Sequence, residues 1–486
     1  MSNELKNKAI KGVIWSFIEQ FSGQIIQFVI SIILARILLP SDYGLIGMLA
    51  FFMAISQVFI DGGFGSALIQ KKDRNENDLS TVFYINIGMS LACYIILFLC
   101  APLISDFYSQ PQLVPIIRIY SLTLVIGSIS GINNTLLVIN VDFKTKSKVS
   151  ILSSVISGII GIGFAYLGYG VWALIIQAIS SSIISVILNF YFVRWYPKLI
   201  FSKVSFKALF SYGSKLLISS IIASAYTNIY SLVIGKQFSP AILGYYSRAQ
   251  GFTTLVSNNI NSIISRVSFP ILSNIQDDDT ILKNVYYKYI QMSSFVIFPC
   301  VLLLCGIAKP LVLILLTDKW TPVISLLHII CFSYLWNGII DINLNLLKVK
   351  GRTDLVLRLE IIKKVIAVSI LVISILFDNI YAICLGSVIY GFIALYLNTI
   401  YTKKLLNFSF LQQCKLFIPY LCIALTIMAI SLWISNTVSN PYISIVTSLI
   451  ICPVLYLFIN KIFGLYAYSE FTGMIKPNIK YRSLNK

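Results

Sequence analysis

Charge is what this sequence lacks most. Charged residues make up 11% of its 486 positions, against about a quarter in an ordinary soluble domain. Too few remain to dress a water-exposed surface, which excludes a soluble globular fold. Acidic residues are the scarcer kind, 18 Asp and Glu against 37 Lys and Arg. There is one histidine, His328, and no CxxC pair among nine cysteines. The closest two, Cys300 and Cys305, do not have a zinc-ligand spacing. No P-loop, HExxH or nucleophile elbow occurs. Alternation of apolar and polar residues is also missing from the apolar runs, which excludes a membrane β-barrel.

What is present is apolar sequence, 58% of the chain. It falls into runs near the length that crosses about 30 Å of hydrocarbon as a helix. The runs predict an all-α polytopic membrane protein of about fourteen spans: 14–37, 43–67, 81–104, 113–138, 149–168, 171–193, 210–234, 243–271, 289–308, 322–346, 359–377, 380–401, 416–434 and 441–460. Lys6, Lys8 and Lys11 precede an apolar run too long for a signal peptide, so the first span is expected to stay as an anchor. Basic clusters at Lys71–Arg74, Lys144–Lys148, Arg194–Lys207, Lys348–Lys364, Lys403–Lys404 and from Lys461 occupy every second loop. The positive-inside rule then places both termini in the cytoplasm, with the chain in the cytoplasmic (inner) membrane. Basic residues scattered over short loops do not predict nucleic-acid binding. Asp277-Asp278-Asp279 reads as a solvated loop.

The chain repeats itself. "LARILLPSDYGL" from Leu34 aligns with "IGKQFSPAILGY" from Ile234 at an offset of 200, pairing Pro40 with Pro240 and Gly44 with Gly244. "APLISDFY" at Ala101 resembles "KPLVLILL" at Lys309 at an offset of 208, and "NTLLVINVDFK" at Asn134 resembles "NLLKVKGRTD" at Asn345 at an offset near 210. Six spans per copy is an even number, so both copies enter the membrane the same way round. The expected organisation is an N-terminal lobe 1–207, a C-terminal lobe 208–407, and two further spans with a tail, 408–486. A turn-forming Pro and Gly suffice to explain the repeated turn locally.

Polar residues inside the spans are the candidate functional groups. Ser16, Glu19, Gln20, Gly23, Gln24, Gln27 and Ser31 fall on one arc of about 140° at about 100° per residue. An ionisable stripe points to a cavity wall, with interhelical glue as the alternative. On the eighth span Arg248, Phe252, Leu255, Asn259, Ser262 and Arg266 share a face, widened by Asn258 and Asn261, with the two Arg about 27 Å apart. The face shared with Asn259 points to a cavity wall, with snorkelling of both Arg as the plainer alternative. Tyr334, Asn337, Asp341 and Asn345 form a further stripe. Asp61, Arg118 and Lys215 are isolated intramembrane charges, each costing about 2.5–3.5 kcal/mol to insert. His328 reads as an interfacial residue.

"LARILLPSDYGLIGM" from Leu34, "DGGFGSALIQKKDRNENDLSTVFYINI" from Asp61 and "SYGSKLLISSIIASAYTNIYSLVIGKQFSPAILGYYSRAQ" from Ser211 resemble the polysaccharide exporters of the multidrug/oligosaccharidyl-lipid/polysaccharide (MOP) superfamily. The branch is the Wzx-like flippases of colanic-acid and teichuronic-acid type. The resemblance implies two six-helix lobes in a V around a central cavity, and a lipid-linked oligosaccharide on undecaprenyl diphosphate as substrate. It implies a cationic cavity, which Lys215, Arg248 and Arg266 match by position and chemistry. Membrane lipids and a polysaccharide polymerase machinery are the other expected partners. No cofactor is expected beyond a coupling ion, H+ or Na+. A multidrug or cation antiporter of the same superfamily is the first rival, although a cationic drug favours an acidic cavity. A polymerase or ligase is the second, and the substantial outer loop that such an enzyme needs is missing.

Overall fold

The computed structural model describes residues 21–475. Among them there are helices and connecting turns but no strand. Helix α1 is described over Phe21–Ile37. It is followed by α2 (Pro40–Asp61), α3 (Phe64–Gln70), α4 (Glu76–Tyr108), α5 (Leu113–Tyr120), α6 (Leu122–Ile129), α7 (Gly131–Ile139), α8 (Phe143–Tyr166), α9 (Val171–Val193) and α10 (Lys203–Gln237). Then come α11 (Pro240–Asn274), α12 (Asp279–Gly306), α13 (Ala308–Leu315), α14 (Pro322–Tyr334), α15 (Asn337–Val349), α16 (Thr353–Ile375), α17 (Ile380–Leu406), α18 (Phe410–Thr437), α19 (Pro441–Ile462) and α20 (Tyr466–Ile475).

Among the described residues every expected span coincides with a helix or a broken helix; positions 14–20 of the first span lie outside them. Ten described segments are long and apolar enough to cross a membrane, and an eleventh qualifies if 113–139 counts as one bent span. α11 is too polar and α16 too charged to qualify, while α1 is described over too few residues. The expected span 113–138 is broken twice. Its second break, at Ser130, bends the path by 42°. Ser121 Oγ donates to Ile117 O at 2.7 Å and Ser130 Oγ to Gly127 O at 3.1 Å. Such back-bonding competes with the helix ladder and favours a bend. The basic stretch Lys348–Lys364 is mostly not a loop: only 350–352 lie outside α15 and α16, so Lys363 and Lys364 stand on a helix.

Packing divides the chain into two compact units, 1–244 and 245–486. In the first, Ile30 and Leu34 of α1, with Leu38 just beyond it, bury against Ala165 and Ala173 of α8 and α9. A Cβ on Gly158 would fall 2.3 Å from Ile30 Cδ1, so that glycine is the hole which receives the α1 side chain. α2 ends at Gly62 and Gly63, both in the left-handed region at φ 49° and 75°. The chain bends there and α3 begins. α10 packs against this bend, since a Cβ on Gly63 would lie 2.6 Å from Gly213 O. Thus α10 belongs to the first unit by packing, although it opens the second sequence repeat.

The second unit is built around α12. Phe298 packs edge-on against Trp336 and Phe417, and Phe295 against Tyr420. Tyr456 of α19 donates to Phe295 O at 3.0 Å, which ties the two spans outside the repeat to this core. A buried polar knot links α12, α15, α17 and α18. Tyr286 donates to Asn343 Oδ1, Asn343 Nδ2 donates to Gln413 Oε1 at 3.3 Å, and Gln413 Nε2 reaches Thr402 at 3.0 Å. Hydrogen bonds of this kind hold helices together where water is absent.

The repeat is visible in contacts. A Cβ on Gly44 would fall 1.7 Å from Pro240 O, and a Cβ on Gly244 would fall 2.0 Å from Pro40 O. The two repeated helix starts therefore press on each other reciprocally, backbone to backbone. The turn-only explanation of these glycines is insufficient. Likewise Gly131 faces Asn86 at 3.6 Å and Gly338 faces Ser293 at 2.5 Å, and both members of the second pair lie 207 positions after those of the first.

Backbone cannot yield as a side chain does, so Gly44→Ala and Gly244→Ala should each destabilise by at least the ~1–3 kcal/mol typical of overpacking. Gly88→Ala and Gly127→Ala, where nothing lies within 4 Å, are the controls. Fluorescence-detected size-exclusion after a heating series should show early loss for the first pair alone. Equal melting of all four would contradict the reciprocal contact.

Candidate functional site

In the first unit the expected residues do not converge. Glu19 lies outside the described residues. On α1 Gln24 is half-buried and Gln27 exposed, meaning not covered by the chain itself. Gly23 on the same arc turns instead to Ser150 of α8, 3.7 Å from where its Cβ would be. The polar stripe is thus split between a helix contact and an open face. Asp61 is exposed at the last position of α2 and accepts from Gln57 Nε2 at 3.0 Å. Lys215 is exposed on α10, two residues past Gly213. They flank the Gly63–Gly213 contact without forming an ion pair. Arg118 on α5 is half-buried with its guanidinium 4.4 Å over the Phe98 ring, and its Nε has no hydrogen-bond partner. That is a cation–π contact with capacity left to bind.

In the second unit Arg248 lies over Trp320, 5.8 Å from the ring centroid, and Arg266 is exposed. Asn259 is turned onto its own helix, donating to Leu255 O at 2.7 Å. Asn337 and Asp341, by contrast, are brought into an open cleft of about 470 Å³ with Asn258, Asn261, Ser262 and Ser265 of α11. On a helical wheel the four α11 residues centre about 90° away from the face shared by Arg248 and Arg266. The sequence stripe was therefore placed on the right helix but centred to one side.

Gly338 explains why the cleft has this shape. A Cβ there would meet Ile297 at 2.2 Å, Ser293 Oγ at 2.5 Å and Asn261 Oδ1 at 3.0 Å. Only glycine lets α15 come this close to α11 and α12. The close approach leaves hydrogen-bonding capacity unused. Asn261 is 7% exposed and its Oδ1 has no partner; Ser293 Oγ, at 1% exposure, has none either. Asn345, further along the same stripe, is buried with its amide nitrogen unpartnered.

The charges around the cleft balance. Asp341 is within electrostatic reach of Lys348, Lys363 and Glu360. Lys363 is buried and pairs with Glu360 at 2.5 Å. Two carboxylates thus stand against two ammonium groups, and the ligand need not bring a compensating charge. Amides, hydroxyls and a compensated carboxylate suit a neutral, hydroxyl-rich ligand. Lys363 and Glu360 fall inside the expected span 359–377, but Lys363 was counted only with the basic cluster Lys348–Lys364 and neither was singled out as a site residue. The available signal was the apolar run that starts immediately after Lys364.

Other groups resolve as structural. Asp278 caps α12, accepting from Thr280 N and Ile281 N at 2.9 Å, and Asp279 pairs with Lys350 at 2.6 Å. His328 is half-buried on α14 and its Nε2 has no partner. In the turn before α16, Arg352 holds the Asp354 carboxyl below its ordinary range through a 3.0 Å ion pair. No cluster of three or more metal-ligating side chains occurs among the described residues.

The fold is that of a membrane transporter. It superposes on the lipid II flippase MurJ in an inward closed conformation with a TM-score of 0.75 at 17% identity, covering 93% of this chain and 98% of that one. The family model described as "Polysaccharide biosynthesis protein" matches residues 33–325, and the chain belongs to that family. Teichuronic acid biosynthesis protein TuaB of Bacillus subtilis (strain 168) is 26% identical, over 72% of this chain and 73% of its own. Lipopolysaccharide biosynthesis protein WzxC of Escherichia coli (strain K12) is 27% identical, over 76% of each. The succinoglycan biosynthesis transport protein ExoT of Rhizobium meliloti (strain 1021) is 25% identical, over 65% of each chain.

Removing one partner from a buried ion pair costs more than removing both. Lys363→Met should therefore lower the melting temperature, by an amount equivalent to about 1–3 kcal/mol given that Glu360 is partly exposed. Glu360→Gln/Lys363→Met should recover more than half of that loss. If the double variant melts no higher than the single one, Lys363 does not act as the counter-charge described.

Proposed function

We propose that this protein moves an undecaprenyl-diphosphate-linked oligosaccharide across the cytoplasmic membrane for surface polysaccharide synthesis. The observation that carries this reading is the charge-balanced, amide- and hydroxyl-lined cleft between α11 and α15, in a chain of the polysaccharide biosynthesis family. Sugar hydroxyls are donors and acceptors at once, and Asn258, Asn261, Asn337 and Asp341 offer the complementary set. A diphosphate cannot cross hydrocarbon unaided, and Arg266 and Lys215 are exposed cations suited to it. The names of TuaB and WzxC, which refer to teichuronic acid and lipopolysaccharide biosynthesis, support a glycan as cargo. The mechanism proposed is alternating access of fourteen spans, with both termini cytoplasmic, driven by a coupling ion, H+ or Na+, and feeding a polysaccharide polymerase. A cation antiporter is disfavoured because the carboxylate in the cleft already has Lys348 and Lys363 nearby.

Deletion in the host should leave a lipid-linked repeat unit accumulating on the cytoplasmic side. Each sugar hydrogen bond is worth about 0.5–1.5 kcal/mol. At matched protein levels, Asn337→Ala should therefore lower export several-fold and Asn261→Ala/Asn337→Ala by about tenfold or more. Arg266→Lys should retain part of the activity that Arg266→Gln loses, because Lys keeps the charge but not the fork. Normal export by all the cleft variants, or no accumulated glycan in the deletion strain, would refute the assignment.

Sidedness has its own test. In intact cells a cysteine placed by Gly351→Cys should stay unlabelled by an impermeant maleimide, while Ser439→Cys should react. The reverse pattern would invert the topology.

A further inference from the structure

Lys309 opens α13 beside a second cavity, of about 210 Å³, where α18 and α19 meet. Its other polar walls are Ser435 and Asn436 at the end of α18, Ser439 in the turn, and Ser444 in the first turn of α19. No carboxylate lines it, and the sequence has no Asp or Glu from Asn379 to Ser469. Ser435 already donates to Leu432 O at 3.0 Å. Lys309, Asn436, Ser439 and Ser444 remain as donors that converge from three chain segments.

Ser444 shows that this convergence is not incidental. It is 1% exposed and its Oγ has no partner. Capping does not explain it, because Asn440 already accepts from Tyr442 N at 2.9 Å and Ile443 N at 3.4 Å. A buried hydroxyl left unpaired is costly unless something occupies the site. The Lys309 ammonium is exposed and is held by no ion pair or hydrogen bond among the described residues.

We propose that this cavity binds a phosphate group, with Lys309 Nζ as its counter-charge and Ser444 Oγ as its buried donor. A tetrahedral oxyanion presents acceptors in several directions and so can use donors from all three segments. A cation would be repelled by Lys309, and a neutral ligand would leave that charge unused. α18 and α19, each long and apolar enough to span a membrane, both end at this cavity. It therefore lies where hydrocarbon gives way to water, at the depth of lipid phosphates. A lipid phosphodiester and free phosphate share the required chemistry. The site stands apart from the cleft and does not rest on the transport reading. Simple snorkelling of Lys309 to the interface is the competing explanation, and it predicts no selectivity.

The test uses the purified full-length protein. Native mass spectrometry would follow titration with phosphatidylglycerol or with diacylglycerol, which lacks the phosphate. Melting would be followed in sodium phosphate against sodium chloride at equal ionic strength. Phosphatidylglycerol should bind about tenfold more tightly to the native protein than to Lys309→Gln, with Lys309→Arg close to native. Ser444→Ala should melt no lower than the native protein without ligand, because it removes an unpaired buried group, yet bind several-fold more weakly. A melting shift caused by phosphate salt and abolished by Lys309→Gln, without lipid retention, would identify a soluble oxyanion as the ligand. Retention without that shift would identify the lipid. If the native protein, Lys309→Gln and Ser444→Ala bind both probes alike, or if diacylglycerol binds as well as phosphatidylglycerol, the proposal is wrong.

Discussion

Inside hydrocarbon a polar group has no solvent to fall back on, and this constraint orders the whole molecule. Backbone groups meet it by forming helices. Side chains meet it in three ways. Some bond their own helix, as Ser294 does by donating to Ile290 O at 2.8 Å. Some bond one another, as Tyr286, Asn343, Gln413 and Thr402 do. A few are left unsatisfied, and these are the informative ones. Asn261 and Ser293 border the cleft at Gly338, and Ser444 borders the smaller cavity. At these two cavities the unpaired groups leave hydrogen-bonding capacity for a ligand.

Glycine is the instrument that makes such places possible. At Gly338 it lets three helices approach closely enough to form the floor of the cleft. At Gly62 and Gly63 it ends one helix, starts another and admits α10 against the bend. Neither role is a matter of flexibility alone. In each case the space that a Cβ would occupy is already taken.

Most of the architecture could be read in the sequence because apolar runs report length directly. The span expected at 171–193 is α9 to the residue, since Gly170 at φ 54° and Arg194 at φ 55° stop the helix on both sides. The break at Ser130 was hidden, because serine back-bonding leaves no gap in hydropathy. The stripe on α15 was legible: Asn337 and Asp341 do share a wall. The matching wall on α11 was legible in part: Asn258, Asn261 and Ser262 were on or beside the expected stripe, but two arginines drew its centre toward themselves while packing against α15 chose the neighbouring arc. Lys363 lay within the expected span 359–377 but was passed over because it was counted with a basic cluster. Its burial depends on partners, Glu360 and Asp341, one of which comes from another helix.

The reciprocal seating of Gly44 on Pro240 and Gly244 on Pro40 has a historical consequence. After a duplication, two copies are ordinarily free to drift apart, each under its own selection. Here each copy supplies both a backbone ridge and the notch that receives the other's ridge. A substitution that fills one notch cannot be absorbed within the same copy. The two positions, 200 residues apart, therefore constrain each other directly. Elsewhere in the chain the repeats have diverged almost beyond recognition, and these turns remained among the stretches that still betray a common origin.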